Sequence, residues 1–148
     1  MNVLFFWEPV GGLSLAHRCN PYAGLLDRAL HAHDVHLELG DYGFSAAWLE
    51  EQRPTHDVLH LNWLHAFYRR DDLEATMAAY HDFEVGLQAA RRLDYRIVWT
   101  LHNLYPHERP FPKVDHLARE RVAESADVVL AHCGHAADLA RERFGCRE

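Results

Sequence analysis

The sequence is poor in lysine. Lys113 is the only one, the remaining basic residues are arginine, and 15 basic against 22 acidic residues leave a formal net charge of −7. That balance argues against nucleic acid, whose binding rests on clustered Lys and Arg neutralising phosphates. It gives no support to a strong hold on an anionic membrane either. Cysteine is also scarce. Cys19, Cys133 and Cys146 are odd in number and form no CxxC pair, so neither a disulfide framework nor a redox motif is expected. No apolar run approaches the roughly 20 residues that span a bilayer. Met1 to Trp7 has no basic region ahead of it and reads as a strand, not a signal peptide; a cytoplasmic location is the default expectation. After that first strand the glycine pair Gly11-Gly12 lacks the GxGxxG spacing of a dinucleotide fingerprint.

What remains is an ordinary globular composition. The 148 residues are 49% hydrophobic and 25% charged, which suits one domain with a substantial core. The 13 histidines are scattered, so they form no tag.

The hydrophobic pattern alternates short apolar runs with longer amphipathic ones. Strands are expected over 2–6, 34–39, 57–61, 95–101 and 127–131. Helices are expected from Asn20-Pro21, over 44–52, over 71–93, over 113–124 and over 134–144. Asn20 reads as an N-cap with Pro21 at the first helical position. In the long helix Leu73, Met77, Tyr80, Phe83, Leu87 and Ala90 form the expected buried stripe. Five βα units in a row predict an α/β domain, Rossmann-like and three-layered (αβα), with a parallel sheet of at least five strands and right-handed crossovers. No repeat, low-complexity segment or linker divides the chain, so residues 1–148 form one domain.

The most telling segment runs from Arg96 to Glu108. The apolar run Ile97-Val98-Trp99 ends in Thr100, His102 and Asn103, followed by His107 and Glu108. Open α/β sheets place their clefts at the carboxyl ends of strands, so these polar groups fall where a ligand would sit. An imidazole exchanges protons near neutral pH, which makes His102 the candidate for chemistry, with Asn103 beside it. After the third strand, Asn62 and Trp63 offer an amide and an aromatic face, a pairing that suits a sugar through stacked CH groups and bonded hydroxyls. His60 lies inside that strand and reads as structural; His65 follows close behind. Gly11-Gly12 is either a turn or a backbone cradle for phosphate. His107 and Glu108 either position a ligand or belong to a loop stiffened by Pro106, Pro110 and Pro112. Glu8, Asp41 and Asp71 read as solvated carboxylates.

The segment Val98-Trp99-Thr100-Leu101-His102-Asn103-Leu104, with Pro106-His107-Glu108, resembles the signature of retaining family 4 glycosyltransferases of the GT-B fold. Asn20-Pro21-Tyr22, His60-Leu61-Asn62-Trp63 and Ala126 to His132 follow in matching order, so the resemblance covers nearly the whole chain. It implies the N-terminal, acceptor-side half of such an enzyme, which as a whole moves a sugar from a nucleotide-sugar donor to a hydroxyl with retention. It implies that His102 contacts the acceptor at the reaction centre, and that Gly11 and Gly12 face the donor's phosphates. Asn62, Trp63, Asn103, His107 and Glu108 complete the expected substrate-binding set. In the favoured front-face mechanism the departing phosphate can take the acceptor's proton, so His102 need not be a true base.

The resemblance also implies no required metal or other cofactor, because a second Rossmann-like domain holds the diphosphate. The chain ends after a helix where that domain would begin, so on its own it is expected to be inactive or nearly so. Its expected partners are a sugar or glycoconjugate acceptor and, through the second domain, the nucleotide-sugar donor. Membrane association is left open by relatives that act on lipid-linked acceptors, and no basic amphipathic helix supports it. His132-Cys133-Gly134-His135 invites a zinc reading, but adjacent ligands close a tetrahedral site poorly and no second pair stands nearby. The family usually has a small hydroxyl residue at position 133, so Cys133 is expected to weaken the cap of the last helix. Two other classes compete: a free-standing flavodoxin-like domain that binds a ligand or partner, and one subunit of a split transferase, which an exposed patch at Trp7, Trp63 or Phe67 would favour.

Overall fold

The computed structural model describes residues 1–7 and 20–146. The chain runs β1 (Asn2–Phe6), α1 (Tyr22–His31), β2 (His36–Leu39), α2 (Ala46–Gln52), β3 (Val58–Leu61), α3 (His65–Tyr68), α4 (Leu73–Arg92), β4 (Arg96–Leu101), α5 (Pro112–Ser125), β5 (Val128–Ala131) and α6 (Gly134–Phe144). All five strands pair in parallel, in the order β2-β1-β3-β4-β5. This is the Rossmann-like three-layer architecture that the alternating pattern predicts. No helix of the described residues is long and apolar enough to cross a membrane.

A central parallel strand is covered on both faces, so it must be apolar on both. β1 meets that demand with Val3, Leu4, Phe5 and Phe6, all buried. Leu4, Phe6, Leu59, Leu61, Ile97, Trp99 and Leu101 face one layer with Leu49 of α2, Phe83 and Leu87 of α4, Val122 of α5 and Phe144 of α6. Val3, Phe5, Trp7, Leu37 and Val58 face the other, against Ala23 of α1. Each fully buried side chain of this size contributes about 1.5–3 kcal/mol. Asp127 ties the starts of β4 and β5 together: its carboxylate accepts from Ile97 N at 2.8 Å, Arg91 at 2.9 Å and Arg96 at 3.2 Å. Burial opposes its charge, yet these donors hold the carboxyl below its ordinary range.

Helix ends follow their caps. Ser45 accepts from Trp48 N at 3.3 Å and Asp72 from Ala75 N at 2.8 Å, each worth about 1 kcal/mol. Cys133 caps α6 without a side-chain bond, and Gly145 closes it at φ 69°, a conformation glycine adopts freely. α1 starts one residue later than expected. Pro21 is its cap, and Asn20 Oδ1 accepts from Tyr22 N at 3.1 Å.

Two further expectations need correcting. The buried stripe of α4 is Thr76, Tyr80, Phe83, Gly86, Leu87, Ala89 and Ala90, whereas Leu73 and Met77 are 54% and 42% exposed. The helix is rotated so that Thr76 points inward, which its hydroxyl tolerates because it accepts from Arg70 N at 3.1 Å. Gly86 lies on this face because Phe44, at φ 39°, brings its carbonyl and ring against α4, where a Cβ would collide. The second correction is α3, a single turn between β3 and α4 that the apolar pattern alone does not reveal.

Candidate functional site

Asn62 and His102 are the first residues past β3 and β4, and the two strands pair in parallel. Their side chains meet at the carboxyl edge of the sheet. The Asn62 amide is buried and donates from Nδ2 to Phe6 O at 3.1 Å and to His60 O at 3.4 Å. Those two carbonyls fix the amide's orientation, which leaves Oδ1 as the acceptor. His102 lies with Nε2 3.0 Å from Asn62 Oδ1 and therefore donates from Nε2–H. Its Nδ1 is then an acceptor, and it faces His132 Nε2 at 3.0 Å. The direction of every bond in this relay follows from the first.

The imidazole of His102 is boxed by aromatic rings. Trp63 stacks on it at 4.7 Å, while Tyr22 and Trp7 stand edge-on at 4.8 Å and 5.4 Å. Burial, and then the neighbouring His132, lower the pKa of His102 to about 4. At neutral pH His102 is thus an uncharged ring with one donor and one acceptor nitrogen, strong as an orienting group and weak as a base. One residue pair deeper, His60 Nε2 lies 2.7 Å from Thr100 Oγ1, and both are buried. Burial, and then His102, lower His60 to about 4 as well. His60 is buried inside β3 and bonded to Thr100, the environment expected of a structural residue.

A narrow inner cleft of about 20 Å³ lies over these groups, lined by Asn62, Trp63, His65, His102, Asn103 and Arg119 among others. An outer cleft of about 300 Å³ adjoins it through Trp63, His65, Asn103 and Pro106 and extends to Arg69, His107 and Glu108. Six residues marked in the sequence, Asn62, Trp63, His102, Asn103, His107 and Glu108, therefore line one continuous depression. Asn103, His107 and Glu108 are exposed on its rim. Gly11 and Gly12, like Glu8 and Cys19, lie outside the described residues. Asp41 accepts from Gly43 N at 2.9 Å in a turn, and Asp71 is exposed. Trp7 and Phe67 are buried and Trp63 is half-buried, so these three side chains do not form the exposed patch that a split enzyme would show.

The sequence reading missed the cationic wall. Asp115 is 2% exposed and Arg119 is 5% exposed, both on the buried side of α5. Tyr68 donates to Asp115 Oδ1 at 2.7 Å. Arg69 and Arg109 stand 3.6 Å and 3.9 Å from the same carboxylate. Arg119 donates to Leu104 O at 2.6 Å and to Asp115 O at 2.8 Å, and Arg69 to Glu108 O at 2.8 Å. The loop carrying Asn103, His107 and Glu108 is thereby latched to α3 and α5. A signal was present: Asp115 and Arg119 flank the apolar stripe Val114, Ala118 and Val122, where a solvated face would not place them. His132, read earlier only as a doubtful zinc ligand, is instead the donor to His102. Among the described residues no group of three or more His, Cys, Asp or Glu is placed to hold a metal.

Comparison with protein-family models, characterised proteins and solved structures found no match to this chain.

Proposed function

We propose that this chain is the acceptor-binding half of a retaining glycosyltransferase of the GT-B type, similar to family 4. The observation that carries the reading is the convergence of Asn62, Trp63, His102 and Asn103 on one cleft at the carboxyl edge of β3 and β4. An aromatic wall beside amide and imidazole groups matches the mixed surface of a sugar. An acceptor hydroxyl that displaced His132 from Nδ1 of His102 would be held by a fixed, neutral acceptor nitrogen. With a pKa near 4, that ring suits alignment of the hydroxyl more than removal of its proton, and the departing phosphate of the donor would take the proton. The donor would come from a nucleotide-sugar domain facing this edge.

A second reading has its own support. Both ring nitrogens of His102 are already engaged, which also suits a binding module that performs no chemistry.

The test is a panel of mono- and oligosaccharides titrated against the chain, followed by tryptophan fluorescence and histidine ring signals, with a panel of nucleotide sugars assayed for transfer. Saccharide binding that Trp63→Ala weakens about tenfold or more, at unchanged folding, supports the reading. No saccharide binding anywhere in the panel would sink it. The chain alone is expected to transfer nothing, and measurable transfer would overturn its assignment as a half-enzyme.

A further inference from the structure

We propose that the inner cleft binds an oxyanionic group, with phosphate as its probe, on the guanidinium of Arg119, helped by Arg69 at the cleft's outer wall. The starting observation is a charge without a counter-charge. Arg119 is 5% exposed, and arginine is almost never buried so completely unless it is paired. Its bonds go to two carbonyls, Leu104 O and Asp115 O, and to the Tyr68 hydroxyl at 3.5 Å. Among the described residues no carboxylate forms an ion pair with it. The Asp115 carboxylate reaches it only through the Tyr68 hydroxyl, and that carboxylate also faces Arg69 and Arg109. Three guanidiniums thus crowd around one buried carboxylate that pairs directly with only two of them, in a chain whose net charge is −7.

The excess charge faces the cleft. Arg119 lines the inner cavity and Arg69 the outer one, and His65 lines both. The Nη2 atom of Arg119 makes no hydrogen bond among the described residues, so the guanidinium keeps donor capacity free. His65 reports the local field. Burial, then Arg69, then Arg119 lower its pKa, and only Asp115 acts in the opposite direction. Glu108 is the one carboxylate on the cleft wall. It lies at the outer end, opposite in sign to Arg69, which places the uncompensated positive charge inside, beside Asn103 and His102. A purely structural role for Arg119, latching the Leu104 carbonyl, requires only a neutral donor. It does not explain a buried cation left short of a carboxylate.

If the acceptor reading above is right, the acceptor carries this anion, as a sugar phosphate or as a phosphate on a lipid carrier. That extension rests on the proposed function; the anion site itself does not. The experiment titrates wild type, Arg69→Gln and Glu108→Gln with inorganic phosphate, a hexose phosphate, its parent hexose, and vesicles with and without a phosphomonoester lipid. Tryptophan fluorescence and the His65 ring signal provide the readouts. Phosphate is expected to bind and to weaken as salt screens the site. Arg69→Gln should weaken it about tenfold and Glu108→Gln should strengthen it, the scale of one charge-assisted contact. The His65 ring should titrate at higher pH with phosphate bound.

Both variants alter partly or fully exposed side chains, so they keep the test valid if Arg119→Met fails to fold. Preference for the hexose phosphate identifies a soluble ligand, and preference for the phospholipid vesicle a membrane one; either supports the site. Phosphate binding with no hexose phosphate, hexose or lipid preference supports the site while removing the acceptor reading. Binding of the parent hexose equal to its phosphate, with phosphate itself inert, overturns the site and leaves the transferase reading standing. Phosphate binding that neither variant changes also overturns it.

Discussion

Acid should loosen this fold through His60, and the size of the effect can be worked out. His60 is 5% exposed, its Nε2 is 2.7 Å from Thr100 Oγ1, and the Phe5 ring stands edge-on at 5.0 Å. Burial, and then His102, lower its pKa from 6.5 to about 4. The unfolded chain regains the ordinary value, so between those two pKa values the unfolded state binds more protons. Stability is therefore complete above pH 6.5, falls as pH drops toward 4, and has nothing further to lose from this group below that. At about pH 5 the loss comes to about 2 kcal/mol. His102 adds a further loss of the same sign, smaller because its ring is partly solvated. Asp127 contributes lower down, since its carboxyl is held below the usual range.

The assay is urea unfolding at about pH 7.5 and pH 5, for wild type and His60→Gln. The midpoint of the wild type should fall by about 1 M in urea at the lower pH, and the variant should lose clearly less. A histidine ring titration on wild type avoids any question about how the variant folds. Equal pH dependence in both proteins, together with a His60 ring that titrates near 6.5, would refute the argument.

Asn62→Asp replaces a neutral acceptor of the His102 Nε2–H bond with a carboxylate and removes the donor to Phe6 O. The His102 titration should move up by at least one unit while the protein loses about 2 kcal/mol or more; ring NMR and thermal melts check both, and an unmoved His102 would discard the relay. Gly86→Ala should destabilise by about 2 kcal/mol despite a helix-propensity gain of about 1 kcal/mol, because the new methyl collides with Phe44. A neutral or stabilised melt would show that the α2–α4 junction yields more readily than the packing suggests.

The fold was legible because its signals are periodic. Apolar runs such as Val3 to Phe6 and Ile97 to Leu101 fit only a strand covered on both faces, and the amphipathic segments between them supply the covers. The failures occurred where a single contact outweighs periodicity. Leu73 and Met77 fit the helical stripe as well as Thr76 does, yet Thr76 is buried because Arg70 satisfies its hydroxyl. No hydropathy count contains that bond. α3 is one turn long, too short for any period to register.

The site divides along the same line. Asn62 and His102 could be marked because each follows a strand, and in a parallel sheet residues that follow adjacent strands must end up as neighbours. Their chemistry could not be read from type alone. By type His102 is a group that exchanges protons near neutral pH, but a fixed amide on one side, an imidazole on the other and a box of indole and phenol rings hold its ring in place, and its burial lowers its pKa so that it is a weak base. The cationic wall needed three separate elements at once: Arg69 after α3, Arg109 in the loop and Arg119 in α5. Their convergence on Asp115 depends on how far α5 sits from α3, a distance set by packing and not by spacing along the chain. What the sequence does offer is an inconsistency, an Asp and an Arg four residues apart beside the apolar stripe of α5. Burying a charge costs desolvation that packing alone does not return, and Arg119 has no carboxylate paired directly with it, so charges in that position point to a task other than holding the helix in place.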